Sequence, residues 1–184
     1  MIKTYNASND LMDIIRGGKF RLEIFNAWRD VCQGRDIVDR ENPVDIIEYD
    51  NAYVNVGGAA LLDILIGSGT STADQANTFF SNARAAIGVG DSATAVAAGQ
   101  TDLQAATNKL RVAMNATFPS RASQVMTWRV TFSTAQANWQ WNETALFNTT
   151  TAATGSMLCR ALVVSPFTKT SALAIDALYT VTVP

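Results

Sequence analysis

The sequence predicts a mainly β protein, an antiparallel β-sandwich or jelly-roll-like body with one short helix and an extended N-terminal arm. Three observations lead there. Several runs alternate apolar and polar side chains at the period of a half-buried strand. The joins between them are rich in Gly, Ala, Ser, Thr and Asn. Charge is also unevenly spread, because 17 of the 30 charged side chains fall within residues 1–50. That shift divides the chain into a charged arm or hairpin over residues 1–53 and a low-charge β-sandwich body over residues 54–184. A chain of 184 residues that is 48% apolar can bury a sizeable core.

In the arm, KFRLEIFNAWRDV (19–31) alternates Phe20, Leu22 and Ile24 against Lys19, Arg21 and Glu23, which is strand periodicity. Phe25 and Trp28 break the alternation. A helix over residues 20–32 would put Phe20, Ile24, Trp28 and Val31 on one stripe, so the helix stands as the alternative to the preferred strand. Asn42-Pro43 then marks a turn between Ile37-Val38 and the run from Val44 to Ile47, which reads as a hairpin or an extended arm. In GAALLDILIGSG, Leu61, Leu62, Leu65 and Ile66 share a helical face and Gly67 can end the helix.

In the body, residues 70–75 read as a loop before a strand over 83–89. Residues 93–101 form a second loop, too rich in Ala and Gly for an unsupported helix, and read as a contact surface. Val125 to Phe132 alternates as a one-faced sheet requires. Runs over 139–147, 157–164 and 172–183 complete the strands, and LYTVTVP is expected to end inside the sheet. Sequential strands with turn-rich joins favour a sandwich, with a closed barrel as the alternative.

Composition excludes several functions. The chain has no histidine, so it lacks the usual neutral-pH general base and the commonest metal ligand. A net charge of −2 provides no basic field for nucleic acid. Cys32 and Cys159 belong to no Cys-x-x-Cys pair and are expected as buried or free thiols, with one long-range disulfide as the alternative. The N-terminal residues contain no uninterrupted apolar core of a signal peptide, and no segment approaches the roughly 20 apolar residues that cross a bilayer. Cytoplasmic synthesis is expected. The Asn-x-Ser/Thr sequons at Asn6, Asn115, Asn142 and Asn148 then carry little weight.

Gly88-Val89-Gly90-Asp91 reads as a strand end with left-handed glycines, Asp91 capping the turn through Asx bonds, and not as a phosphate loop. Asp36, Asp39, Glu41, Asp45, Glu48 and Asp50 cluster with Arg35 and Arg40 and read as ion pairs or a subunit contact, since their spacing matches no calcium loop. Trp128, Trp139, Trp141, Phe132 and Phe147 read as core aromatics, with a sugar-binding platform as the alternative. Glu143 is expected to accept from turn backbone or to pair with Arg129.

Two segments, AIGVGDSATAVAAGQTDLQ (86–104) and TWRVTFSTAQANWQWNETALFN (127–148), resemble a family of tailed-bacteriophage virion structural proteins. The resemblance runs from Val54 onward, in a Gly-Val-Gly-Asp turn, an Ala/Thr-rich loop, a Thr-Asp-Leu-Gln segment and a Trp-Asn-Glu strand leading to a Phe-Asn corner. It implies a non-enzymatic virion component without cofactor, a capsid decoration or cement protein that binds the major capsid protein. A tail or baseplate component is the alternative, and a glycan-binding adsorption module is another. On the decoration reading the body associates with its own copies as a trimer and the arm lies across capsid subunits. Phe20, Phe25, Trp28, Arg35 and Arg40 are the candidate partner contacts.

Overall fold

A computed structural model describes residues 19–30, 35–50, 52–53, 80–123 and 125–182, with the backbone alone at 28–30, 35–37, 52–53 and 182. The described strands are β1 (Lys19–Asp30), β2 (Arg35–Val38), β3 (Asp45–Asp50), β4 (Ala52–Tyr53), β5 (Ala86–Gly90), β6 (Lys109–Ala113), β7 (Ser120–Ala122), β8 (Val125–Phe132), β9 (Gln140–Phe147), β10 (Met157–Thr168) and β11 (Leu173–Thr182). They form two antiparallel sheets packed as a sandwich. The first runs β2-β1-β11-β8-β7 with β3 also on β1, and the second runs β4-β10-β9-β5-β6. The helix expected over Leu61 to Gly67 lies outside the described residues, as does Cys32.

The preferred strand holds for residues 19–30. Phe20, Leu22 and Ile24 point inward and are buried, while Arg21 and Glu23 on the other face are half-exposed. This strand is no detached arm: β1 lies between β3 and β11, pairing Lys19 through Asn26 with Thr180 through Leu173. The turn at Asn42-Pro43 is present, but β2 and β3 do not pair with each other as a hairpin. Both pair with β1. Asp39 N donates to Asn26 O at 3.1 Å and Val44 N to Ile24 O at 2.8 Å, so residues 39–44 are an excursion within one interrupted edge strand.

Between the sheets lies the main core, built from alternate residues of both. β1, β3, β8 and β11 contribute Phe20, Tyr49, Trp128, Phe132 and Tyr179. From the facing sheet come Ile87, Trp141, Leu146, Leu158 and Val163. Phe132 meets Trp141 across the gap edge-on at 4.8 Å, and Phe20 and Trp128 flank Tyr179 at 4.9 and 5.5 Å. The polar tips of Trp128, Trp141 and Tyr49 find partners, as a dry interior requires. The Trp128 indole donates to Phe80 O and that of Trp141 to Ala137 O, each at 2.9 Å. Tyr49 Oη bonds Thr144 Oγ1 at 2.9 Å, and burial raises the phenol's pKa. Cys159 is a buried thiol in this core.

Among the described residues β10 extends past β4, which pairs only with Arg160 and Cys159. A bulge between Leu162 and Phe167 exposes Val164, Ser165 and Pro166. A bulge with a proline suits an edge strand, because it interrupts the ladder that another chain could extend.

Candidate functional site

The side of the second sheet that faces away from the main core is not bare. Residues 91–108 run across it, and beneath them Ala86, Leu103, Ala145, Phe147 and Met157 form a second, smaller core. The loop is rich in small residues and has no regular hydrogen-bond ladder of its own. Its backbone must therefore find partners in the sheet below.

Glu143 supplies the central anchor. Its side chain is fully buried and accepts from Ala105 N at 2.7 Å, Gln104 N at 3.0 Å and Arg160 Nε at 2.6 Å. Arg160 is also fully buried, and its remaining donors reach Gln100 Oε1 at 3.1 Å and Thr94 O at 2.9 Å. One carboxylate and one guanidinium thus bind the loop at four residues. Burying such a pair is tolerable only when the remaining lone pairs and protons are hydrogen-bonded, and the loop does this with three backbone groups and the Gln100 side chain.

Arg111 makes a second anchor. Its guanidinium lies 3.6 Å from the centre of the Phe147 ring, bonds Asp102 Oδ1 at 2.6 Å and donates to the carbonyls of Thr149, Thr151 and Thr154. It thereby ties the 91–108 loop to the Thr-rich loop that follows β9. Burial opposes ionisation of Asp102, but the hydrogen bond and charge of Arg111, with further bonds from Leu103 N and Lys109, more than offset it and lower its pKa.

The glycines of the Gly-Val-Gly-Asp segment serve this layer. The strand does end here, at Gly90, but neither glycine has a positive φ, so the expected left-handed conformation is corrected; among the described glycines only Gly155 has one, at 69°. Gly88 and Gly90 lie inside β5, where space is the constraint. A Cβ on Gly90 would stand 2.5 Å from Glu143 Oε1, and one on Gly88 would stand 2.9 Å from the Phe147 ring and 3.0 Å from Leu103 Cδ1. The Asp91 role is corrected as well. Its carboxylate accepts from Asn108 Nδ2 at 2.8 Å and its carbonyl from Asn142 Nδ2 at 2.6 Å, which joins the two ends of the loop to β9.

Glu143 does accept backbone N-H groups, as expected, but its cationic partner is Arg160. Arg129 instead pairs with Asp176 on the outer face of the first sheet. Asp176 is fully buried and also accepts from Arg40 Nη1 at 2.5 Å and Thr131 Oγ1 at 2.7 Å. Burial disfavours its charge, but the bonds from Arg40, Arg129 and Thr131 outweigh that and lower its pKa.

The structure distributes the sequence candidates unevenly. Phe20 and Phe25 are buried within their own chain, at 0% and 3% exposure, so as folded here they are core residues and not docking anchors. Trp28 sits in β1 opposite Ile37, and Arg35 in β2 opposite Asp30, with side chains outside the described atoms. Arg40 is partly exposed but is committed to Asp176 and stands 5.8 Å from the Phe25 ring centre. Within the carboxylate cluster Glu48 pairs with Arg21, and Asp39 accepts from Glu41 N and Asn42. No group of three potential metal ligands gathers among the described residues.

Of the aromatics, Trp128, Phe132, Trp141 and Phe147 are buried and Trp139 is partly so, which supports the core reading over a sugar platform. Sequence reasoning missed Arg111 and Arg160. The signal was available for Arg160, the one charge in the run of β10 and so a residue that must be paired if it is buried, whereas Arg111 shares its short strand with Lys109 and stands out less. No protein-family model and no curated protein sequence matches the chain.

Proposed function

We propose that this chain is a non-enzymatic phage virion structural protein, a capsid decoration or cement protein that stabilises the head through contacts with the major capsid protein. One observation carries this reading. The two segments on which the resemblance to virion proteins rests are one unit in space, with Gly90 and Gln104 of the first against Glu143 of the second. A shared pattern of this kind describes a structural device and not a scattered likeness. The buried charge of the second sheet is spent on holding a loop, which is scaffold chemistry.

The proposed partners are the major capsid protein and further copies of this chain, arranged as a trimer. With Phe20 and Phe25 in the core, the exposed apolar side chains of the 39–50 segment are Val44 and Ile46, at 50% and 42% exposure, and these become the contacts to test. A protein that binds only the assembled shell stabilises it by mass action, and large apolar side chains at the centre of such a contact carry most of the energy.

The test is the copy number of this chain relative to the major capsid protein in purified particles, by quantitative mass spectrometry. A decoration protein is present at a ratio comparable with the capsid subunit. A handful of copies per particle would contradict the decoration role and make it a tail component, and absence from particles would overturn the virion reading altogether.

A further inference from the structure

The pairing of β9 with β10 continues one step past the Gln140–Thr168 pair, where Lys169 N donates to Trp139 O at 3.0 Å. Trp139 and Lys169 therefore stand opposite each other on the same side of the ladder, where cross-strand side chains are neighbours. Lys169 is 1% exposed, yet neither of its partners is charged. Its Nζ donates to Asn138 Oδ1 at 2.8 Å and, at 3.4 Å, to Thr170 O. Burial alone shifts its pKa, down to about 8, with no carboxylate contributing. The Trp139 indole N-H is also buried, and no protein acceptor meets it among the described residues. An ammonium has three protons to donate and an indole one, and neither group can accept. Among the described residues, this corner of the fold thus holds a surplus of buried donors and a positive charge that no carboxylate meets.

We propose that Trp139 and Lys169 form a carboxylate-binding site that Asn138 closes in the free protein. Asn138 is exposed, and its amide oxygen is the neutral acceptor over Nζ. Among the described residues its other side is anchored by the bond from its Nδ2 to Thr134 O at 2.9 Å. A carboxylate is a stronger acceptor for an ammonium than an amide is, so it displaces the Asn138 oxygen and neutralises the buried charge. Its second oxygen is available to the Trp139 N-H. The ligand is a small carboxylate, either a free acid or the side chain of an Asp or Glu on another chain. This inference does not depend on the virion reading.

The test uses the full chain, with thermal unfolding followed in sodium acetate and in sodium chloride at equal ionic strength and neutral pH. A parallel arm replaces acetate with a blocked Gly-Asp-Gly peptide. The expected result is a saturable rise in Tm specific to carboxylate. It is abolished in K169M and weakened about tenfold in W139F, which removes one hydrogen bond to a charged group. In N138A, where the competing oxygen is gone, binding tightens. A larger response to the peptide identifies a side chain of another protein as the source, and an equal response identifies a free acid. The site is overturned if neither carboxylate exceeds chloride in the wild type, or if W139F and N138A respond as the wild type does. The latter comparison stands even where K169M does not fold.

Discussion

Glu143→Ala is expected to destabilise the protein by about 3–5 kcal/mol, the range for removing one partner of a buried ion pair. The loss comes less from the missing attraction than from what is left behind. Arg160 would keep a fully buried charge facing an empty space, and the N-H groups of Gln104 and Ala105 would lose their acceptor beneath the loop. Urea denaturation checks the magnitude. Replacing both partners, Glu143 with Leu and Arg160 with Met, should cost less than the single change, because no charge is then stranded. A Glu143→Ala variant within about 1 kcal/mol of the wild type would mean that the loop finds its stability elsewhere.

Trp141→Ala should be comparably severe, at about 3–5 kcal/mol. The ring is fully buried, meets Phe132 of the other sheet edge-on and Phe167 of the bulged strand at 5.4 Å, and is fixed by its bond to Ala137 O. Its removal opens a cavity between the layers that neither sheet can close without losing register. The same variant separates the core reading from the sugar platform. Core packing predicts a lowered denaturation midpoint, whereas a platform residue would leave the midpoint unchanged and abolish binding to a glycan array.

The β fold was legible because alternation is a local signal. Val125–Phe132 is a strand over the predicted span, the run over 139–147 begins one residue later as β9, the run over 172–183 is β11 from Leu173 to Thr182 with residue 183 outside the described residues, and residues 157–164 continue as β10 to Thr168. Two strands of the body were not legible. In β6, Leu110 and Val112 are partly buried against the main core while Arg111 points into the ionic layer beneath the loops, so the polar positions look like surface. β7 is three exposed residues held by pairing with β8, and it has no apolar pattern to read. The high charge of the N-terminal segment has a related reason. A strand with one solvated face has many charges, and those of Arg21, Glu23 and Glu48 pair across β1 and β3 on that face.

The site was less legible than the fold. Small residues in 93–101 and the glycines at 88 and 90 signal a close approach, but no local pattern tells what approaches. The answer lies some forty residues away, at Glu143 and beyond it at Arg160. Pairing at that separation is set by the register of β5, β9 and β10, which is a property of the assembled sheet.

The most direct test of the account is native-state hydrogen exchange at the amides of Gln104 and Ala105. If Glu143 clamps the loop, both exchange only when the sandwich unfolds as a whole, with protection equal to that of the β9 amides, and both lose that protection in Glu143→Ala. Fast exchange of the two amides in the wild type, at the rate of the exposed residues 93–95, would show that the loop is not held and would contradict the clamp.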